Sequence, residues 1–462
     1  MFMFSLLMES FLGKIYLVSS CNLNASRKVM NSFIKYNEKL RDLYSSCIND
    51  RESFSFSKIN LENDPHEFLR MNEKIDSLRG LGIFFTGEQL SNECAAYMAK
   101  TLTSSSKVID PCCGAGNLLV SLSKYFPVCT TLTKTLKLWN EKLYGYDLIQ
   151  DFVEAAKIRL IFQALERGVK VDQPDLNINL ELLNNIQCID GLNVDINSIN
   201  FTHVIINPPY NQSLLDDYKY WKGGKVNLAA VFIDKYVSRA KSGTHIVAIL
   251  PDVLRSGTRY DIWRKSMEKY LEGDILLKGR FDKKTDVDIF ILNANVVEGN
   301  GCLKWTTEEN TDHVVSKYFS VSIGRIVPHR DPMEGELHAY IYPGLLKSWV
   351  EVDSNDINSE RRHKSVPIYP PFITIKRTSS PKDKDRAGAH LILGDKPTYV
   401  ENHLIVVKPY DNTIDKCHKL IEHLKSAKVN DYLNNIIRCR HLTVKAVKNI
   451  PLNDEDYNEE IN

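Results

Sequence analysis

Apolar and polar positions fall into two regimes along this chain. Between residues 107 and 250, short apolar runs alternate with longer stretches whose apolar residues recur every three or four positions. The runs are Lys107-Val108-Ile109-Asp110, Lys142-Leu143-Tyr144-Gly145-Tyr146-Asp147, Cys188-Ile189-Asp190, Val204-Ile205-Ile206 and residues 245–250. Each has the length of a strand. Between them, Phe152, Ala155, Ala156, Ile161, Ala164 and Leu165 mark one face of a helix that starts near Asp151 and stops at Gly168. A second helix is predicted over 228–240. A third runs to about Leu102 from Thr86, which with Gln89 makes a capping-box pattern. Residues 281–292 read as a turn and then a strand. This alternation predicts an α/β fold with a mostly parallel sheet and helices on both faces.

Either side of that region the pattern changes. Residues 31–79 contain helical stretches at 33–44 and 66–78 and no nameable chemistry. After about residue 295 helices become sparse, until one predicted over 414–437. The expected division is 1–29 as a start-site extension or disordered segment, 30–80 as an N-terminal helical arm, and 81–297 as the α/β domain. A C-terminal α+β domain over 298–452 and an acidic tail over 453–462 complete it. The first 18 residues are apolar but broken by Glu9, Gly13 and Lys14, and lack the basic start of a secretory signal. Met30 is the expected true start.

Composition narrows the class. Of 462 residues, 43% are hydrophobic and 25% charged, with a formal net charge of +1. That is an ordinary globular balance with room for two or three domains. Near neutrality hides an asymmetry. Residues 361–448 hold 18 Lys/Arg against 8 Asp/Glu, a surplus of 10. Such a surplus fits a phosphate-facing surface, although a solvated basic face gives the same count. The ten Cys residues include no C-x-x-C pair and no His/Cys group at zinc-ligand spacing. No metal and no disulfide framework are therefore expected, and a reducing cytoplasm is the expected compartment. No later apolar run is long enough for a membrane span.

The candidate chemistry lies at the strand ends. The run 204–206 stops at Asn207-Pro208-Pro209-Tyr210. Neither proline can donate to a ladder, so the chain leaves the sheet there. The residue before a proline is biased to be extended. The Asn207 amide oxygen and the Pro208 carbonyl are two acceptors able to converge on one NH₂ group. Tyr210 can lie flat against the planar ring carrying that amine. A strand-ending turn with a half-buried Tyr is the plainer reading of the tetrapeptide alone.

Asp110-Pro111-Cys112-Cys113-Gly114-Ala115-Gly116 joins a strand to a helix through a glycine turn. A dinucleotide fingerprint would place a third glycine where Leu119 stands, and Asp110 would repel a pyrophosphate. A carboxylate there suits an ammonium or sulfonium group. Asp147 can accept from both hydroxyls of a ribose, or simply favour the next helix N-terminus. Asp190 can accept from an adenine amine, although Asp190-Gly191 also reads as an ordinary turn. Phe84-Phe85 is either a hydrophobic staple or the wall of an adenosine pocket. The loop of Tyr218, Tyr220, Trp221, Lys222, Gly223, Gly224 and Lys225 reads as mobile and able to touch nucleic acid by stacking and charge, or as a plain solvent loop.

Four stretches, in this order, resemble the adenine-N6 DNA methyltransferases: Phe84-Phe85-Thr86-Gly87-Glu88-Gln89, Asp110 to Leu119, Gly145-Tyr146-Asp147, and Asn207 to Tyr210. The resemblance covers about 80–295. More weakly, 390–451 resembles the target-recognition part of such enzymes, with Lys396-Pro397-Thr398-Tyr399 and Arg440-His441-Leu442-Thr443. It implies a Rossmann-like, seven-stranded domain using S-adenosylmethionine, and a C-terminal target-recognition domain. Phe85 and Thr86 would close the cofactor pocket. Asp110, Cys112, Gly114 and Gly116 would line its methionine side, Asp147 its ribose and Asp190 its adenine. Asn207 and Pro208 would hold the target amine, with Tyr210 and Phe281 against the flipped base. Double-stranded DNA is the implied partner, with a restriction endonuclease or specificity subunit as a further one. Methylation of RNA, of protein glutamine or of cytosine-N4, a non-catalytic DNA-binding subunit, and a combined restriction–modification polypeptide are the competing readings. For the last the sequence offers no metal-binding nuclease constellation, so cleavage is expected of a partner chain.

Overall fold

The computed structural model describes residues 20–50, 64–74, 77–78, 82–214, 219–221, 223–281, 287–306, 312–345, 347–453 and 457. Most of the expected start-site extension (1–19), Tyr218, Lys222 and almost all of the acidic tail lie outside them. The chain divides into two units: Met1–Leu254 with Ile262–Lys304, and Arg255–Asp261 with Trp305–Asn462.

The first unit opens with α1 (Ser20–Asn49), α2 (Pro65–Asn72) and α3 (Glu88–Ala99). Then come β1 (Val108–Asp110), α4 (Asn117–Ser123), α5 (Leu132–Asn140), β2 (Leu143–Asp147), α6 (Gln150–Glu166), α7 (Leu176–Glu181), β3 (Ile186–Cys188) and β4 (His203–Ile206). A hairpin of β5 (Gln212–Leu214) and β6 (Lys225–Asn227) leads to α8 (Leu228–Arg239) and β7 (His245–Pro251), and β8 (Leu271–Arg280) and β9 (Asp288–Val296) close the unit. Seven strands form one sheet in the order β3-β2-β1-β4-β7-β9-β8. The first five of these are parallel, while β9 is antiparallel to both β7 and β8. Every residue of β4 and β7 is buried, which explains why their sequence reads as unbroken apolar runs.

Strand order reverses at β1, which has β2 on one side and β4 on the other. In an open α/β sheet the crevice for a ligand lies at the carboxyl ends of the strands where the order reverses. Asp110 ends β1 and Asn207 follows β4, so both stand at that crevice.

The expected arm is part of the first unit's core. Phe33, Tyr36, Leu40 and Tyr44 recur along one stripe of α1 and are buried. Phe33 meets Phe152 of α6 edge-to-face at 4.5 Å, Asn37 donates to the Asp151 carbonyl at 2.9 Å, and Arg41 pairs with Glu154 at 2.8 Å.

Three local expectations are corrected. Strand β3 ends two residues before Asp190, which sits in the following loop. Helix α3 is capped by Gly87, with no side-chain cap bond; the Thr86 hydroxyl is engaged elsewhere. In the loop after Tyr210, Trp221 is buried and the Tyr220 hydroxyl donates to buried Asp234 at 2.7 Å. Those two rings are held inward.

The second unit has a five-stranded sheet and a three-stranded one. Its strands are β10 (Phe319–Ile323), β11 (Glu336–Ile341), β12 (Val350–Asp353), β13 (Glu360–His363), β14 (Phe372–Lys376), β15 (Ala389–Leu393), β16 (Thr398–Val400) and β17 (Leu404–Pro409). The sheet orders are β10-β17-β14-β15-β12 and β13-β11-β16. Helices α9 (Ile414–Leu424), α10 (Ala427–Ile436) and α11 (Val444–Lys448) share a core with Ile373, Ile375, Ile405 and Val407. The single helix expected over 414–437 is two. It breaks where the Ser426 hydroxyl caps α10 by accepting from the Val429 amide at 3.3 Å. Arg255, from the short inserted segment, is 2% exposed and donates to the Asn435 carbonyl at 2.6 Å.

Candidate active site

Asn207 is held by its amide nitrogen. Nδ2 donates to the Phe84 carbonyl at 3.1 Å and to Thr86 Oγ1 at 2.9 Å. Both hydrogens are thus used, and the opposite flip would set an oxygen against a carbonyl oxygen. Oδ1 is therefore directed away from residues 84–86 as an acceptor. It accepts from the Tyr210 hydroxyl at 3.0 Å, which also lies 3.3 Å from the Ile249 carbonyl. Burial, with Cys94 and Cys112 nearby, holds the Tyr210 phenol well above its usual pKa, so it stays a neutral donor. The Tyr210 carbonyl accepts from Asn227, which also caps α8. The Asn207 carbonyl accepts from Cys112 Sγ at 3.4 Å, tying the glycine turn to the tetrapeptide.

Three half-buried aromatics gather here. The rings of Phe84 and Tyr210 lie 6.3 Å apart and 23° from parallel. Phe281, the residue just after β8, stands edge-on to both, 6.2 Å from each. Phe85 is different: its ring is 8% exposed, packs with Phe33 and Phe152, and lies over Gly114. Pro208 is buried beside Asn207.

The glycine turn has steric reasons for both glycines. Gly114 has φ +52° and a Cβ there would sit 2.6 Å from the Phe85 ring; Gly116 has φ +81° and meets Ala156 of α6. Arg159 of α6 spans the turn, donating to the Ala115 carbonyl and to Asn117 Oδ1.

Carboxylates cluster around this turn. Asp147 accepts from the Gly114 amide at 2.9 Å and the Ile149 amide at 3.0 Å. Burial still pushes its pKa up to about 6, against the pull of those amides. Asp110, 1% exposed, is raised well above the carboxylate range by burial, with the Cys112 amide opposing and Asp147 repelling. Asp190 accepts from the Leu192 amide and from Asn193 Nδ2, so each oxygen is already engaged in its own loop. It therefore makes the ordinary turn, and each oxygen keeps a second lone pair. The array is rich in acceptors, which suits a ligand that donates hydrogen bonds and carries positive charge. It does not suit a phosphate. Among the described residues, no group of three or more His, Cys, Asp or Glu is placed to hold a metal ion.

Sequence reasoning passed over Asn117, Arg159 and Asn227. Their roles depend on partners many positions away, and only Asn227, just ahead of a predicted helix, carried a local signal as a cap.

The model of a protein family described as N-6 DNA Methylase matches residues 65–295, half of the chain. The chain belongs to this family. The match takes in α2 as well as the sheet, so the family's limits reach into the segment that the sequence pattern set aside as an arm. No curated protein matches the chain. Among solved structures, the chain resembles the type IIL restriction–modification enzyme MmeI bound to DNA, at 10% identity and a TM-score of 0.48, covering 84% of this chain and 71% of that one. It resembles a protein of Vibrio vulnificus YJ016 described as a type I modification subunit, at 14% identity and TM-score 0.34, covering 51% of this chain and 50% of the other. This chain thus spans half that protein's length. The EcoKI M protein, a type I restriction enzyme component, is similar at 13% identity and TM-score 0.34, with coverages of 59% and 68%.

Proposed function

We infer that this protein methylates the N6 amine of adenine in double-stranded DNA, using S-adenosylmethionine, as the modification component of a restriction–modification system. The observation that carries this reading is the fixed amide of Asn207. With Nδ2 spent on Phe84 and Thr86, Oδ1 is left as the acceptor, and the Pro208 carbonyl would be the second. Tyr210 takes one lone pair of Oδ1 and leaves the second.

An adenine amine is conjugated with its ring and is a poor nucleophile. Two acceptors aimed at its hydrogens favour a pyramidal nitrogen whose lone pair can attack. The base must leave the duplex to reach them, and Tyr210, Phe281 and Phe84 supply aromatic surface for it. S-adenosylmethionine, when bound, supplies an activated methyl on a sulfonium. Asp147 would accept from its ribose hydroxyls, Asp190 from its adenine amine, and Asp110 would face its positive charge. Gly114, Gly116 and Cys112 would form the turn beneath it, while Thr86 and Phe85 would close the pocket. No proton need leave the amine before attack, so catalysis is positioning and electrostatics. The family match and the basic surplus over 361–448 support DNA as substrate.

The test is transfer of labelled methyl to unmethylated DNA, followed by nucleoside analysis, for wild type and Asn207→Ala. N6-methyladenine should form with the wild type, and the variant should be slower by about 10²–10³. N4-methylcytosine as the product would replace the base and keep the mechanism. Transfer to RNA or protein alone would overturn the substrate.

A further inference from the structure

We propose that His66 is a positioning residue for this site, acting on Asn207 through the backbone of residues 84–86. The proposal rests on the reading of Asn207 above. Three successive carbonyls in that segment are each held by a side chain from a different part of the fold. Phe84 O accepts from Asn207 Nδ2 at 3.1 Å, Phe85 O from His66 Nδ1 at 2.7 Å, and Thr86 O from Asn117 Nδ2 at 2.5 Å. A carbonyl cannot donate, so His66 carries a proton on Nδ1.

Residues 83–87 lie in neither helix nor strand. Side chains therefore fix carbonyls that a helix or ladder would otherwise fix. The Phe85 peptide stands between the two acceptors that orient Asn207, the Phe84 carbonyl and the Thr86 hydroxyl. Rotation of that peptide would move both. His66 blocks the rotation from one side and Asn117, which is held by Arg159, blocks it from the other. His66 is itself set by Asp64, whose carboxylate accepts from the His66 amide at 2.7 Å at the start of α2. A short helix that carries no reacting group thereby determines where Asn207 Oδ1 points.

Three variants separate positioning from packing. His66→Ala removes the donor. His66→Asn restores one, since its Nδ2 occupies the place of Nδ1. Leu69→Ala, at a buried position of α2, loosens the helix and spares the bond. Under saturating cofactor and DNA, His66→Ala should lower kcat by about ten- to a hundredfold with little change in KM, and His66→Asn should recover most of it. Leu69→Ala should lower the Tm and leave kcat within a few-fold.

A second readout needs no turnover. With ¹⁵N-asparagine labelling, the Asn207 side-chain amide pair is identified by its loss in Asn207→Ala. His66→Ala should shift or broaden that pair, and His66→Asn should return it. An unchanged pair, or an unchanged kcat, in folded His66→Ala overturns the proposal. Should the wild type transfer no methyl to DNA, the reading of the site falls, while the amide spectrum still decides the role of His66.

Discussion

At the scale of single residues, the site is a set of acceptors whose charge depends on pH. Asp147 carries the sharpest consequence. Its carboxyl is pushed up to about 6 by burial, so it is ionised at pH 7 and protonated by pH 5. A protonated carboxyl is a poorer acceptor for two hydroxyls than a carboxylate. Affinity for S-adenosylmethionine should therefore weaken as pH falls through 6, and Asp147→Asn should bind weakly with a flatter profile. Titration calorimetry between pH 5 and 8 checks this; an affinity independent of pH in the wild type would remove Asp147 from the ribose contact. The glycine turn and the tetrapeptide were legible because few residue types do what they do. Gly114 sits at positive φ under a ring, and two prolines end a strand. His66 and Asn117 were illegible because a hydrogen bond from a side chain to a distant carbonyl leaves no local pattern.

At the scale of elements, periodicity served well wherever one face of a helix or both faces of a strand are buried. The helix expected over 228–240 is Leu228–Arg239 and the strand expected over 245–250 is His245–Pro251. It served poorly at β8, an edge strand whose mixture of Glu272, Gly273, Asp274 and Leu277 shows no clean alternation. It also merged α9 and α10, because their apolar stripes continue across the Ser426 cap.

The parallel strands have a polar seam at their starting ends. His245 Nε2 lies 2.8 Å from Asn293 Oδ1, and its Nδ1 is 2.7 Å from the Thr101 hydroxyl. His203 Nε2 is 3.1 Å from that same hydroxyl, and its Nδ1 is 2.7 Å from Thr202. One assignment satisfies both rings: each is neutral with the proton on Nε2, and the Thr101 and Thr202 hydroxyls donate to His245 and His203 at 2.7 Å, shorter than their alternatives to the Met98 carbonyl at 3.0 Å and the Lys107 carbonyl at 3.3 Å. Burial lowers both pKa values, that of His203 to about 4 with His245 adding to the effect. Unfolded, each imidazole takes up a proton near 6.5; folded, His203 resists until about 4 and His245 is also lowered. This pair should therefore favour the folded state above pH 6.5 and lose that contribution as pH falls toward 4. Urea unfolding midpoints across that range should drop, and His203→Gln should shrink the drop; an equal drop in the variant would assign it to other groups.

At the scale of the whole molecule, charge is divided along the chain. The surplus of Lys and Arg over 361–448 lies within the second unit. If that unit meets the DNA backbone, DNA affinity must fall steeply with salt, because each neutralised phosphate releases counterions. Binding of the cofactor should respond far less. Fluorescence anisotropy between about 50 and 200 mM salt measures the slope, and a flat response would place DNA binding elsewhere. The division of the chain has a consequence for engineering. Arg255–Asp261 leaves the first unit, contributes a buried arginine to the second, and the chain then returns. The second unit is therefore not a terminal cassette. Anyone transplanting it between relatives has three junctions to match, at 254/255, 261/262 and 304/305. A graft made at the last junction alone would leave the host's own seven-residue insert seated in a stranger's core.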